Sequence, residues 1–205
     1  MREFIYYSST APTAGSAINS DDLMSSGRLD IAVHTLISAF FLSHSFREDV
    51  KLHLVFDGSP DPTKHFELKP DIHAKDKIYL SKKDIAWVLK RMLYKYKEGE
   101  RTEVFPGYFI SKKPLLIVLR DLLKEGKTLY ILDAKGDSIR DEKLDENSVF
   151  IIGDHQGLPS LSTKELKRYK SQIKYVSIGD KMYFASQTLT ILNHELDMRE
   201  TASKK

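Results

Sequence analysis

Apolar residues at Leu29, Val33, Leu36, Ile37, Phe40 and Phe41, with His44, recur at intervals of three and four, the spacing of one face of an amphipathic helix. This helix is expected to begin near Leu29 and stop near Arg47. Val50–Phe56 then alternates, with Val50, Leu52, Leu54 and Phe56 on one side and Lys51, His53 and Val55 on the other, which predicts a strand. Asp57-Gly58 and Pro60-Asp61-Pro62 mark a turn. A second helix is predicted over 82–98, started by Ser81 with Asp84 and striped by Ile85, Val88, Leu89, Met92, Leu93 and Tyr96. A third covers 114–125, with Pro114 early and Gly126 just past its end, the usual asymmetry of helix termini. Beyond it, strands are expected over 128–132, 149–152 and 173–178, a short helix capped by Ser162 with Glu165, and a closing helix over 183–198. Residues 8–26 read as a polar loop. Strands alternating with helices predict an α/β fold, a largely parallel sheet flanked on both faces by helices.

Composition narrows the class. The 205 residues, 41% hydrophobic and 30% charged with ten Phe and ten Tyr, are enough for a sizeable core and suit a single domain over 1–205. The absence of cysteine excludes disulfides, thiolate metal sites and a cysteine nucleophile. Stretches without Asp, Glu, Lys or Arg, such as 31–46, are all shorter than the roughly 20 apolar residues that span a bilayer. The N-terminus lacks the pattern of a signal peptide. A cytoplasmic location and no membrane association are therefore expected. A net charge of +3 permits a nucleic-acid partner without requiring one.

Ligands of open α/β sheets bind beyond the carboxyl ends of the strands. Here the segments following the later strands are Leu132-Asp133-Ala134-Lys135-Gly136, Gly153-Asp154-His155-Gln156-Gly157 and Ile178-Gly179-Asp180-Lys181-Met182-Tyr183. Each alone reads as a tight turn; together they suggest three glycine-containing loops converging on one ligand. The sequence has no G-x-x-x-x-G-K-S/T and no G-x-G-x-x-G, so a Walker cradle and a dinucleotide fingerprint are excluded. It also has no G-x-S-x-G or H-E-x-x-H. The seven histidines are scattered, and no metal site is expected.

Val149-Phe150-Ile151-Ile152-Gly153-Asp154-His155-Gln156-Gly157, Val176-Ser177-Ile178-Gly179 and Phe184-Ala185-Ser186 resemble the C-terminal half of a SPOUT-superfamily RNA methyltransferase. In order before them stand Met1-Arg2-Glu3-Phe4-Ile5, Ala11-Pro12-Thr13, Gly27-Arg28-Leu29-Asp30, Ala39-Phe40-Phe41-Leu42-Ser43-His44 and Arg47-Glu48-Asp49-Val50. The whole set is similar to the tRNA (pseudouridine(54)-N1)-methyltransferase family. That resemblance implies a C-terminal deep trefoil knot, with knot and cofactor region at about 127–198, and a homodimer. It also implies S-adenosylmethionine held largely by backbone groups at Leu132, Gly153, Ile178, Gly179, Asp180, Lys181, Met182 and Tyr183. Thr188 stands where relatives often carry cysteine, so a contact there is expected through its backbone.

Methyl transfer to N1 of pseudouridine requires removal of a poorly acidic N–H proton and stabilisation of the resulting charge, tasks suited to a carboxylate and a cation. Asp30 and Arg28, at a loop-to-helix junction, are the candidate base and electrostatic or phosphate contact; both also suit an ordinary helix start. Asp154 and His155 either touch substrate or organise their loop. Phosphate contacts are expected from Arg28, Arg47 and the helix bearing Lys82, Lys83, Lys90 and Arg91, whose cationic exterior equally suits a solvated face. Two other functions fit the same residues: methylation of pseudouridine in another RNA such as ribosomal RNA, and a non-catalytic RNA-binding module.

Overall fold

A computed structural model describes residues 1–70, 81–161 and 163–202. Its framework is one eight-stranded sheet, built from β1 (Arg2–Ser8), β2 (Val50–Phe56), β3 (Lys64–Leu68), β4 (Thr102–Phe105), β5 (Tyr108–Ser111), β6 (Thr128–Ser138), β7 (Ser148–Gly153) and β8 (Ile173–Ser177). The spatial order is β4-β5-β3-β2-β1-β7-β6-β8. From β2 to β8 every pairing is parallel, whereas β3, β5 and β4 form an antiparallel wing. The expected parallel sheet is thus present, with an antiparallel extension that the turn at 57–62 introduces.

Strand β1, which alternation left unassigned, lies near the middle of the sheet and is buried along its whole length. A strand covered on both faces is apolar on both sides, so Arg-Glu-Phe-Ile-Tyr-Tyr-Ser shows little alternation. Its neighbours reveal the two faces: Phe4 and Tyr6 join the core beneath α1 (Leu29–Phe40), α2 (Lys82–Lys95) and α5 (Ala185–Ala202). Ile5 and Tyr7 join the opposite core beneath α3 (Leu115–Lys124) and α4 (Lys164–Lys167).

Several boundaries differ from expectation for identifiable reasons. Helix α1 ends at Phe40 instead of near Arg47 because the chain folds back: Phe41 bridges to Phe46, and the Arg47 amide donates to the Phe40 carbonyl at 2.7 Å. Phe46 stacks on Phe40 with ring centroids 5.4 Å apart, an aromatic contact that further helix would forgo. Helix α2 begins as expected, the Asp84 amide donating to Ser81 Oγ at 3.1 Å. Pro114 is the N-cap of α3 and not its first residue. The cap assigned to Ser162 lies outside the described residues; Thr163 Oγ1 accepts from the Leu166 amide and caps α4. Strand β6 continues to Ser138, so 132–136 is an irregular extension along β8 rather than a free loop.

Two polar networks run through the framework. Arg2 reaches Asp49, Asp197 and Glu200, while Arg47 forms a two-pronged pair with Asp197 at 2.8 and 2.6 Å, tying α5 to the start of β1 and the turn before β2. Across β1, β2 and β3, Glu3 contacts His53 Nε2 at 2.9 Å, and His53 Nδ1 lies 2.8 Å from His65 Nε2. Lys127 and Lys51 flank Glu3 at 2.8 and 3.2 Å.

Candidate functional site

The carboxyl ends of β1 and β7 are neighbours because the strands pair in parallel register, Tyr7 beside Gly153. The residues that follow are bound into one cluster. Asp154 Oδ2 accepts from Ser8 Oγ at 3.0 Å, the Ser9 amide at 2.8 Å and Ser9 Oγ at 3.0 Å; its Oδ1 accepts from the Gln156 amide at 2.8 Å. Four donors on a carboxylate only 9% exposed make a strong, charge-assisted junction. Gly153 is required by the same loop: a Cβ there would lie 2.7 Å from the Gly157 carbonyl carbon.

Residues 27–30 pack over the end of β1. A Cβ on Gly27, whose φ is +59°, would lie 2.0 Å from the Thr10 carbonyl oxygen, and Thr10 Oγ1 donates to the Gly27 carbonyl at 2.9 Å. Arg28 caps α1 in the left-handed region at φ 58°, a conformation uncommon outside glycine. Its guanidinium grips Asp30, Nε to Oδ1 at 3.0 Å and Nη2 to Oδ2 at 3.2 Å. The Arg28 side chain is 35% exposed and that of Asp30 21%, so both remain within reach of solvent.

Tyr6 joins the two groups. Its hydroxyl is buried close to the Ser8 side chain. Burial, and then the negative charge of Asp154, push the phenol above its ordinary range; Ser8 opposes the effect, Asp30 adds to it and Arg28 opposes it. The next tyrosine on the strand, Tyr7, donates to Asp57 at 3.1 Å and is pushed up to about 12 by burial and by that charge. The structure therefore gathers Arg28, Asp30, Tyr6, Ser8, Ser9 and Asp154 at one strand end. Sequence reasoning reached Arg28, Asp30 and Asp154 but passed over the tyrosine and serines; the run of hydroxyl residues after an apolar segment was the available signal.

A separate cleft of about 230 Å³ opens between the extension of β6 and the segment after β8. Ala134, Gly136, Ser138, Ser177, Ile178, Gly179 and Asp180 contribute to it, with Arg140 and Glu195 paired at 2.8 Å on its wall. Gly136 makes the closeness of the walls possible, since a Cβ would lie 2.5 Å from the Val176 amide nitrogen. Gly179 has φ +131°, and no atom lies within 4 Å of the place a Cβ would take; it is an open backbone position reserved for glycine.

The expected cofactor residues are thus distributed unevenly. Ile178, Gly179 and Asp180 line the cleft, while Leu132 lies half-buried against the core. Lys181, Met182 and Tyr183 continue outward, with Met182 96% exposed. Gly153 lies in the Asp154 loop and His155 is exposed. Thr188 is buried in the first turn of α5, and its amide donates to the Phe184 carbonyl at 2.9 Å. Arg47, expected to meet phosphate, pairs with Asp197 and has its side chain 11% exposed.

The sheet order and helical layers define an α/β fold of the SPOUT type. The crystal structure of Archaeoglobus fulgidus Nep1 bound to S-adenosylhomocysteine shares it, with a TM-score of 0.63 at 13% identity over 98% of this chain and 99% of that one. Residues 1–201 match the profile of a family described as "Putative SAM-dependent RNA methyltransferase". The tRNA (pseudouridine(54)-N(1))-methyltransferase of Pyrococcus abyssi is 37% identical over 204 residues, covering 96% of this chain and 98% of that protein. Its namesake from Thermococcus kodakarensis is 35% identical over 207 residues, covering 96% and 99%. The chain belongs to this family of S-adenosylmethionine-dependent RNA methyltransferases.

Proposed function

We propose that this protein transfers a methyl group from S-adenosylmethionine to N1 of pseudouridine 54 in the T loop of tRNA. The observation that carries the reading is similarity along nearly the full chain to relatives bearing that name, joined to a cation, carboxylates and a phenol collected at the ends of β1 and β7.

The residues beside the cleft fit the cofactor. S-adenosylmethionine, when bound, supplies an electrophilic sulfonium methyl. Its ammonium and ribose hydroxyls call for acceptors, which Asp180, Glu195 and backbone carbonyls offer, and its carboxylate calls for a donor such as Arg140. Ile178 and the open Gly179 backbone suit the adenosine portion. At about 230 Å³ the cleft is smaller than the roughly 300–1,000 Å³ of most ligand sites, so part of the ligand would lie against 181–184. Met182, Tyr183 and Phe184 are exposed there, at 96%, 42% and 65%; such apolar exposure supports a homodimer that completes the site.

Asp30 takes the proton leaving N1, and Arg28 holds Asp30 in place and balances charge on the substrate. Tyr6, fully buried, keeps its proton at the working pH. Asp154 orients the ends of β1 and β7. The knot is part of the same reading: β8 lies outside β6, yet the chain returns to α5, which packs on α1 and whose Arg199 donates to the Ile139 and Glu142 carbonyls at 2.6 and 2.9 Å. One continuous sheet supports a single domain. Among the described residues no helix is long and apolar enough to cross a membrane, and a tRNA substrate supports a cytoplasmic location.

The test is transfer of labelled methyl from S-adenosylmethionine to tRNA transcripts with and without pseudouridine at position 54, followed by nucleoside mass spectrometry. N1-methylpseudouridine confined to the modified transcript supports the assignment. Cofactor binding without that product redirects it to another RNA, and neither binding nor product leaves a non-catalytic module.

A further inference from the structure

The outer face of α2 carries a regular alternation of cations and aromatic rings. Lys83, Trp87, Arg91 and Tyr94 are spaced by four, four and three residues, which aligns them along one side of the helix, and all four are exposed. Trp87 and Tyr94 leave 51% and 61% of their surface open. The Arg91 guanidinium lies 5.3 Å from the Trp87 ring and 6.0 Å from that of Phe105, itself 6.0 Å from Trp87. These distances fall within the range of cation–π attraction. A face that only promotes solubility needs lysines, not a tryptophan held open beside a guanidinium.

We propose that this face of α2 is a second RNA-contact surface, on which unpaired bases of the substrate tRNA stack upon Trp87 and Tyr94 while Lys82, Lys83, Arg91 and Lys95 meet its phosphates. The inference rests on the tRNA methyltransferase reading and adds to it where the substrate is held. Aromatic rings interleaved with cations are the pattern by which proteins hold single-stranded nucleic acid, and loop bases, unlike those in a duplex, have free faces to stack. Charge selects this occupant over a second copy of the chain: α2 bears Lys82, Lys83, Lys90, Arg91 and Lys95 against Asp84, so two such faces would repel one another. Asp21, 2.7 Å from Lys83, offsets part of this charge.

Helix α2 packs on the segment that precedes the candidate site. Lys90 Nζ donates to the Ile18 carbonyl at 2.8 Å, and the Tyr94 ring rests on Gly15, where a Cβ would approach it to 2.8 Å. Helix α2 therefore braces the segment leading to Gly27, Arg28 and Asp30. At its other end, His34 on α1 lies in the field of Lys82, one helical turn beyond Asp30.

The experiment titrates labelled tRNA carrying pseudouridine 54 at several salt concentrations against wild type, Trp87→Ala, Trp87→Phe and the double variant Lys82→Gln/Lys83→Gln. Calorimetric S-adenosylmethionine binding and size-exclusion mass accompany each titration. Trp87→Ala should weaken tRNA binding and raise KM for tRNA about 5- to 150-fold, the effect of losing one stacked base, with cofactor affinity and mass unchanged. Trp87→Phe should retain most of the affinity. The lysine double variant should flatten the dependence of log Kobs on log salt by about 0.7–0.9 per lost phosphate contact, whereas Trp87→Ala should leave that slope alone. Wild-type tRNA affinity in Trp87→Ala overturns the proposal, and a changed mass with unchanged RNA affinity assigns the face to a protein interface. A wild type that binds tRNA but transfers no methyl refutes the activity, while loss of affinity in Trp87→Ala would still uphold the surface.

Discussion

Replacing Asp154 by alanine probes the junction between β1 and β7 directly. Its carboxylate accepts from the Ser9 and Gln156 amides and from the hydroxyls of Ser8 and Ser9. The hydroxyls can rotate toward other acceptors, but the two amides cannot. Each donor left unsatisfied costs about 1–3 kcal/mol, so Asp154→Ala should destabilise the fold by about 2–5 kcal/mol, less where water enters. For a chain of this size each kcal/mol lowers Tm by about 2–4 °C, which predicts a fall of about 5–15 °C. Asp154→Asn keeps one accepting oxygen and should cost about half as much. Urea unfolding at pH 7, monitored by circular dichroism and checked by calorimetry, measures both. Adding Ser8→Ala gives a double-mutant cycle in which direct contact should produce a coupling of about 0.5–3 kcal/mol. An Asp154→Ala protein within about 0.5 kcal/mol of wild type, the ordinary range for an inconsequential surface change, would contradict this role for the carboxylate.

Other expectations follow from the same geometry. Asp30→Asn should lower kcat for methyl transfer about 100-fold or more, as loss of a general base does, while calorimetry finds S-adenosylmethionine affinity near normal; unchanged turnover removes Asp30 as the base. Gly179→Val meets no steric obstacle but must adopt φ near +131°; strain of about 1–3 kcal/mol should distort the loop and weaken cofactor binding at least several-fold, and wild-type affinity would dissociate that loop from the ligand. Stability should rise with pH across the acid range. Burial lowers the proton affinity of His53 and His65, while hydrogen bonds from His53 and Lys127 overcome burial to lower that of Glu3, and Arg47, followed by Arg2, brings Asp197 to about 2. Each group binds protons more readily when unfolded, so stability is lost as pH falls below about 6.5 for the histidines and below about 4 for the carboxylates. Denaturation midpoints from pH 8 to pH 2.5 check the sign, and a flat profile contradicts it.

Elements whose residues face one core or a half-covered surface were legible in the chain before any folding was considered. Helix α2 with its Ser81 cap and α3 between Pro114 and Gly126 belong to this group, because side-chain periodicity is set locally by the backbone repeat; Val50–Phe56 is covered on both faces but still alternates, because Lys51 and His53 stand on its second face. The glycine loops and the Arg28–Asp30 pair were legible for a related reason: turns and helix starts constrain which residue types occupy them. Strand β1, on which the candidate site is built, is covered on both faces and opens on Arg2 and Glu3, so it showed neither clean alternation nor a continuous apolar run. The end of α1 was settled by Phe46 stacking on Phe40, a contact between residues that a continuous helix would have pointed apart. It took the folded chain to show that Arg47 pairs with Asp197, that Tyr6 is buried within the field of Asp154, Asp30 and Arg28, and that Trp87 stands open beside Arg91. A cation's partner depends on which distant carboxylate the fold brings within about 3 Å, a hydrogen-bonding distance, and an aromatic ring's role depends on which face of its helix the sheet leaves uncovered; both are properties of packing that local sequence does not encode.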